Sequence, residues 1–416
     1  MSRVNTLTAT PSNLRLNNQS AILSELLQHG RISRSRLAEH IGVSATTITK
    51  IVTELIELGL VEDAPQLDTP TTLARVGRPR TALQLIPDSR YAIGIYIRTG
   101  LMDVGITNLK AKLVQQFEVP FDVTESPESL FQQVMPMITD RLQEARIGLD
   151  HVVGIGIGAQ GRVDAETGVN VFAPNLRWRS VPIADIVAQL SPLPIRVDNN
   201  IRLMALGEAR FGGHRDIDNL AFLHVEGGVG AGFIVDGSIY HGADATAGEI
   251  GHTTILPENG DLCSCGNHGC LETLISEDAI VDAARRIAKT TEDRTLLNCL
   301  DDEQVDTLDC IFEAARSGNG EIMTMLLKRA DYMGIAVANL INLMNPELIL
   351  LGGRIYAKGA DLLMPITQQT IEDRSFADLG KHVQVKIVSP ESKPGLVGSA
   401  GLALDRFFYR QYQSIN

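Results

Sequence analysis

Cysteine is scarce in this chain, and long apolar runs are missing. Five cysteines occur in 416 residues. Three of them, Cys263, Cys265 and Cys270, fall within eight residues, while Cys299 and Cys310 stand apart. An odd count with one tight cluster argues against a disulfide framework. No apolar run reaches the roughly 18 residues of a membrane span. The longest, "LINLMNPELILLGG" and "VVGIGIGA", are broken by Asn, Pro or Gly. The opening "MSRVNTLTATPSNLRLNNQS" lacks the apolar segment of a secretory signal. The expected location is the cytoplasm, with no membrane partner. Excess positive charge is missing as well. The net charge is -13, which is wrong for a uniformly basic nucleic-acid binder.

That charge is uneven. Residues 1–90 hold ten Lys+Arg against eight Asp+Glu, or +2, which leaves 27 against 42, or -15, for the rest. A slightly basic head on an acidic body suggests different partners for each. The length also points to two or three domains. The division expected is 1–87 and 88–416.

The head shows three short helical patterns. "SAILSELLQHG" has Ser20 as candidate N-cap and stops at Gly30. "SRSRLAEHIG" has Ser33 as cap, and Gly42 then supplies a turn. "SATTITKIVTELIELG" is capped by Ser44 and ended by Gly59. In the third, Ile48, Ile51, Val52 and Leu55 form one apolar face, opposite Thr46, Thr47, Thr49 and Lys50. Periodicity alone fits either a three-helix packing unit or a helix-turn-helix whose second helix enters the major groove. The residues beyond Gly59 favour DNA. Short strands at 60–62 and 81–85 flank a Pro-containing loop with Arg75, Arg78 and Arg80, as in a winged hairpin. Pro79 keeps Arg78 extended, and an extended Arg pair suits the minor groove. Ser44, Thr46, Thr47, Thr49, Lys50 and the three arginines are therefore the candidate DNA-contacting residues.

In the body, strands alternate with helices and glycine turns, which indicates an α/β architecture. Repetition of the plan in both halves suits two lobes. The stretch 290–310 is acidic and carries no usable pattern. His252, Cys263, Cys265 and Cys270 give the order H-x10-C-x-C-x4-C. Cys3His is a closed structural set for Zn²⁺, and Gly266 and Gly269 permit the reversals that gather the thiolates. A redox pair would more usually read C-x-x-C, so a structural zinc is expected.

"AGEIGH" followed by "CSCGNHGCLE" resembles the signature of the ROK family (repressors, open reading frames and sugar kinases). "GIGAQGRVDAETGVNVFAPNLRW", "EGGVGAGFIVDGSIYHGADATAGEIGH" and "ELILLGGRI" extend the resemblance over the body. A winged helix at the N-terminus is similar to the arrangement in ROK repressors, those for xylose or N-acetylglucosamine among them. The resemblance implies an actin-like, ribonuclease H-like sugar-kinase body. Its first lobe would be about 88–198 plus a C-terminal helix at 397–416, and its second lobe about 199–396. It also implies that Glu249, Glu272 and His252 meet a sugar, with His252 ligating zinc through its other nitrogen. Asn199 and Asn200, with Gly161 and Asn175, would line the same pocket.

Family kinases place an Asp base where this chain has Asn200, and an amide cannot take a proton near neutral pH. Their first phosphate loop, D-x-G-G-T, is matched by "YIRTG", in which Tyr96 replaces the Asp and Arg98 and Thr99 replace glycines. Gly228 replaces a Thr in the second loop. The resemblance with these departures implies a non-catalytic regulator without ATP. Such a protein would be most simply a repressor, acting as a homodimer or dimer of dimers on operator DNA and answering to a sugar or sugar phosphate. The linker 86–90 would carry strain between body and head. Two other readings stay open, an ATP-dependent sugar kinase with a DNA-binding head and a repressor controlled by a partner protein.

Overall fold

The computed structural model describes residues 11–65 and 81–410. Three helices build the head: α1 (Pro11–His29), α2 (Arg34–Ile41) and α3 (Ala45–Glu57). Strands β1 (Arg31–Ser33), β2 (Val61–Ala64) and β3 (Ala82–Leu85) form an antiparallel sheet in the order β1-β3-β2. Ser33 and Ser44 cap α2 and α3, accepting from Arg36 N and Thr47 N. Gly42, in the left-handed region, closes α2 and sets the turn into α3. Ser20 is not a cap. It lies inside α1 and is buried, because the helix begins at Pro11. The hairpin expected at 60–62 and 81–85 forms at 61–64 and 82–85, and β1 joins it as a third strand. Arg75, Arg78 and Arg80 lie outside the described residues.

The chain divides into two compact units. One comprises residues up to 203 with 210–216 and those from 395 onward; the other comprises 204–209 and 217–394. Both contain the same five-stranded plan. In the first unit β4 (Tyr91–Arg98), β5 (Leu101–Asn108) and β6 (Leu113–Pro120) form an antiparallel meander. β7 (Val152–Ala159) and β11 (Ile195–Asn199) add parallel to β4, giving the order β11-β7-β4-β5-β6. Between them, β8 (Arg162–Asp164), β9 (Val169–Ala173) and β10 (Trp178–Val181) make a small sheet that the sequence pattern did not reveal. In the second unit β12 (Leu220–Val225), β13 (Val229–Val235) and β14 (Ser238–Ile239) are the meander, with β15 (Leu348–Gly352) and β16 (Gln384–Ile387) parallel to β12. β15 is buried along its whole length, whereas the edge strand β6 alternates. That contrast is expected of central parallel and marginal antiparallel strands.

Helices Arg294–Asp301 and Thr307–Arg316 fill most of the patternless stretch. They bring Cys299 and Cys310 into a disulfide with Cα atoms 5.9 Å apart. The two cysteines that stand apart in sequence are thus paired, a correction to the expectation of none. Residues 199–203, expected at the start of the second lobe, belong to the first unit.

Head and first unit share one core. Ile22, Leu26, Leu37, Ile48 and Leu55 cluster with Phe211, Ala403, Leu404, Phe408 and Tyr409. Each large apolar side chain buried here contributes about 1.5–3 kcal/mol. Arg215 donates to Leu27 O at 3.2 Å, and Gln28 donates to Asp216 at 3.3 Å. The C-terminal helix runs Pro394–Leu404 and passes into a wider turn at Asp405–Tyr409. There the Tyr409 hydroxyl donates to Leu109 O at 2.7 Å, and burial pushes its pKa up. The segment 86–90 is not a loose linker. Ile86 N donates to Leu60 O, Leu109 N to Pro87 O, and Asn108 Nδ2 to Asp88 at 2.7 Å. Tyr409→Ala removes a fully packed ring from this shared core. We expect it to destabilise the first unit by about 3–5 kcal/mol, read from the denaturant midpoint.

Candidate functional site

Four metal-type donors converge in the second unit. His252 ends a short turn, Ile250–His252, on the C-terminal side of the meander. Cys263 and Cys265 lie on a knuckle closed by the Leu262–His268 bridge, and Cys270 pairs with Thr254. The knuckle turns at Gly269, where φ is +69° and a Cβ would lie 1.7 Å from Leu256 O. Only glycine fits there. Cys263 Sγ lies 3.5 Å from His252 Nδ1, and Cys265 Sγ lies 3.7 Å from Cys270 Sγ. One donor atom from each of the four falls within 4.8 Å of all the others. A tetrahedron with bonds of about 2.3 Å to sulfur and about 2.0 Å to nitrogen has edges of about 3.8 and 3.5 Å, so the donor set fits zinc. Burial, then the hydrogen bonds its thiol donates to Cys265 and Cys263, push Cys270 up to about 12. The backbone N–H of Asn267 holds Cys265 below its usual value.

Around this cluster, His252 Nε2 faces Glu249 at 4.0 Å, and Glu249 is exposed. Glu272 is half-buried, and its carboxylate accepts from Val229 N at 3.0 Å, beside Gly228. It therefore anchors the glycine loop ahead of β13.

In the first unit the expected polyol-binding residues are heavily used by the fold. Asn199 Oδ1 accepts from Ile201 N and Arg202 N at 2.9 and 3.2 Å, so it caps the helix Asn200–Arg210. Its Nδ2 donates to Gly161 O at 2.8 Å. At Gly161, φ is +88° and a Cβ would strike Phe172 O. Asn200 is buried at the helix start, while Asn175 is exposed on the turn Pro174–Leu176. Sequence reasoning missed the buried pair beneath them. Arg202 reaches Asp198 at 2.6 Å, with both side chains at most 3% exposed, and also donates to Val163 O. The i,i+4 spacing in "DNNIR" was its signal.

The stretch "YIRTG" ends β4 and forms the two-residue turn, Thr99 and Gly100, into β5. Tyr96 is buried against Gly395, Arg98 pairs with Asp103 at 3.1 Å, and Thr99 donates through N and Oγ1 to Gln160. After the Gly352–Gly353 turn, Arg354 bonds to Glu277 at 2.7 Å and to Asp306. Burial raises Glu277, with Arg354 opposing. Burial pushes Asp306 upward, but Lys358 and Arg354 hold it below the usual range. A cavity of about 650 Å³ beside them is lined by Arg285, Asp301, Asp302, Glu303, Asp306 and Arg354, among others.

In the head, Thr46, Thr49 and Lys50 lie exposed on α3, with Thr47 half-buried. Ser44 and Thr47 hydroxyls meet at 2.8 Å, and Thr49 Oγ1 donates to Ala45 O at 2.8 Å. Those three are engaged locally. Exposed Arg36, near the start of α2, is a further cation that sequence reasoning passed over.

A winged helix-turn-helix head continuous with an α/β body of duplicated plan defines a DNA-binding protein on a sugar-kinase frame. A winged helix-turn-helix DNA-binding family model matches residues 15–62, and the ROK family model matches residues 93–406. The chain belongs to the ROK family. It is 30% identical to a xylose repressor of Caldicellulosiruptor bescii, over 95% of this chain and 97% of that one. It is also 30% identical to a glucokinase of Halalkalibacterium halodurans, which matches only 75% of this chain while 94% of its own length is covered. The crystal structure of a ROK family transcriptional regulator, a homologue of the Escherichia coli Mlc protein, superposes with a TM-score of 0.80 at 26% identity. It covers 96% of this chain and 99% of its own.

Asp198→Ala removes the carboxylate that faces the buried Arg202 guanidinium. We expect about 3–5 kcal/mol of destabilisation in chemical unfolding, with Asp198→Asn intermediate.

Proposed function

We propose that this chain is a cytoplasmic, sugar-responsive transcriptional repressor of sugar-utilisation genes. The observation that carries the reading is the winged head continuous with the ROK body, matched end to end by a xylose repressor. Lys50 and Thr46 on α3 contact phosphates and base edges, with Ser44, Thr47 and Thr49 shaping the helix start. Arg75, Arg78 and Arg80 reach the minor groove. A homodimer, or a dimer of dimers, reads half-sites spaced by about one helical turn or a multiple of it.

His252, Cys263, Cys265 and Cys270 would hold a structural zinc ion, which when bound closes the knuckle and leaves no open coordination position. His252 is then fixed with Nε2 turned toward Glu249, so the knuckle orders a sugar-facing edge. Glu249, His252 and Glu272 in the second unit are candidate sugar-binding residues, as are, within the first unit, Gly161, Asn175, Asn199 and Asn200. Sugar binding shifts the population away from the DNA-competent state, with a coupling of about 1–3 kcal/mol.

Phosphoryl transfer is disfavoured. Asn200 cannot act as a base, and the segment matching the first phosphate loop carries the side chains of Tyr96, Arg98 and Thr99 in place of Asp and two glycines. The cavity beside the Gly–Gly turn is lined by Asp301, Asp302, Glu303 and Asp306 against Arg285 and Arg354, an acidic excess unfavourable to a polyphosphate.

The test is a thermal-shift screen of sugars and sugar phosphates, followed by operator binding with each stabilising compound. Release of DNA without ATP consumption supports the reading; sugar-dependent ATP consumption contradicts it. Lys50→Ala is expected to weaken operator binding across sequences and lower the salt slope by about 1, read by fluorescence anisotropy. Removing zinc with a chelator, or making Cys263→Ser, should abolish any sugar-induced thermal shift while leaving the head folded.

A further inference from the structure

A second set of metal-type donors lies in the head. Glu25 and His29 are one turn apart on α1, and His40 lies on α2. His40 Nδ1 is 2.7 Å from Glu25 Oε2, and His29 Nε2 is 3.3 Å from the same oxygen. The two imidazoles meet edge to face with centroids 5.3 Å apart. One donor atom from each of the three residues lies within 4.8 Å of the other two.

We propose that Glu25, His29 and His40 form a binding site for a borderline divalent transition-metal ion of the zinc class, with water completing the shell. The donor chemistry selects the ion, since two imidazoles and a carboxylate suit zinc and its neighbours better than hard cations such as Mg²⁺ or Ca²⁺. The frame is preformed. Leu26 beside Glu25 and Leu37 on α2 are fully buried in the head core, so the ligands project from two helices already fixed against each other. Charge points the same way. Among the described residues, the polar partners of Glu25 are these two histidines, and no lysine or arginine compensates its carboxylate. A bound cation supplies that charge permanently, and it ties α1, which also packs against the turn Asp405–Tyr409, to the first helix of the helix-turn-helix pair. This site is separate from the cysteine cluster, and its existence does not depend on the repressor reading.

The experiment uses the full chain, stripped by chelator and titrated with Zn²⁺ alone against a chromophoric competitor, then with Co²⁺. Two equivalents per chain are expected. The cysteine cluster gives a Co²⁺ form with thiolate charge-transfer absorption, and the head site gives one without it. His29→Ala with His40→Ala should lose only the equivalent without charge transfer, and Cys263→Ser only the other. Glu25→Gln keeps the shape of the head and should weaken the same equivalent, which carries the test if the double variant unfolds by circular dichroism. A single equivalent that vanishes with Cys263→Ser, or a second that survives in Glu25→Gln and the double variant alike, overturns the proposal.

Discussion

The structure depends on one helix that belongs to two places at once. The apolar face of α1 supplies Ile22, Leu26 and Leu27 to the head, and the same cluster takes in Phe211, Leu404, Phe408 and Tyr409 from the body's first unit. The contacts are apolar and buried, and hydrogen bonds from Arg215 and Gln28 fix the register. A head held this way cannot swing freely. Its orientation is that of the unit to which it is welded, and a change in that unit's packing is transmitted without a flexible tether. The segment at 86–90 reinforces the weld, since its backbone is bonded to the head at Leu60 and to Leu109 just after β5, and its Asp88 side chain accepts from Asn108.

The body beneath is two copies of one plan, a three-stranded meander with two parallel strands added beside its first strand. This arrangement places loops at equivalent strand ends, and here the chain has spent them on holding itself together. Asn199 caps a helix and ties down Gly161, Glu272 pins the glycine loop, Thr99 is bonded to Gln160, and Arg354 is locked between carboxylates. These ties hold the loops, while the two sheets and their cores are built from the strands and helices beside them.

Much of this was legible in residue order. The H-x10-C-x-C-x4-C spacing needs no tertiary knowledge, because local turns gather the donors. The apolar face of α3 and the caps at Ser33 and Ser44 were equally plain, being local. What stayed hidden depends on distant packing. The first nine residues of α1, "PSNLRLNNQ", have weak apolar periodicity, and from Asn13 to Gln19 they are exposed or half-buried; they extend a helix whose buried residues begin further on, at Ser20 and Ile22. β1 is three residues long and is specified by its partner β3. Cys299 and Cys310 sit on helices whose approach across the 302–306 loop no spacing rule gives. The cap made by Asn199 was hidden for a subtler reason. An amide can cap a helix or bind a hydroxyl, and the cap shows only once the helix start at Asn200 is known.

The central claim, that head and first unit are one cooperative body through α1, is tested most directly by hydrogen exchange in the full chain at rising sub-denaturing urea. The account predicts that the amides of Leu23–Leu27 and those of Ala400–Leu404 share one opening free energy and merge into the same unfolding transition. Exchange of the α1 amides at low urea, while Ala400–Leu404 stay protected, would contradict it.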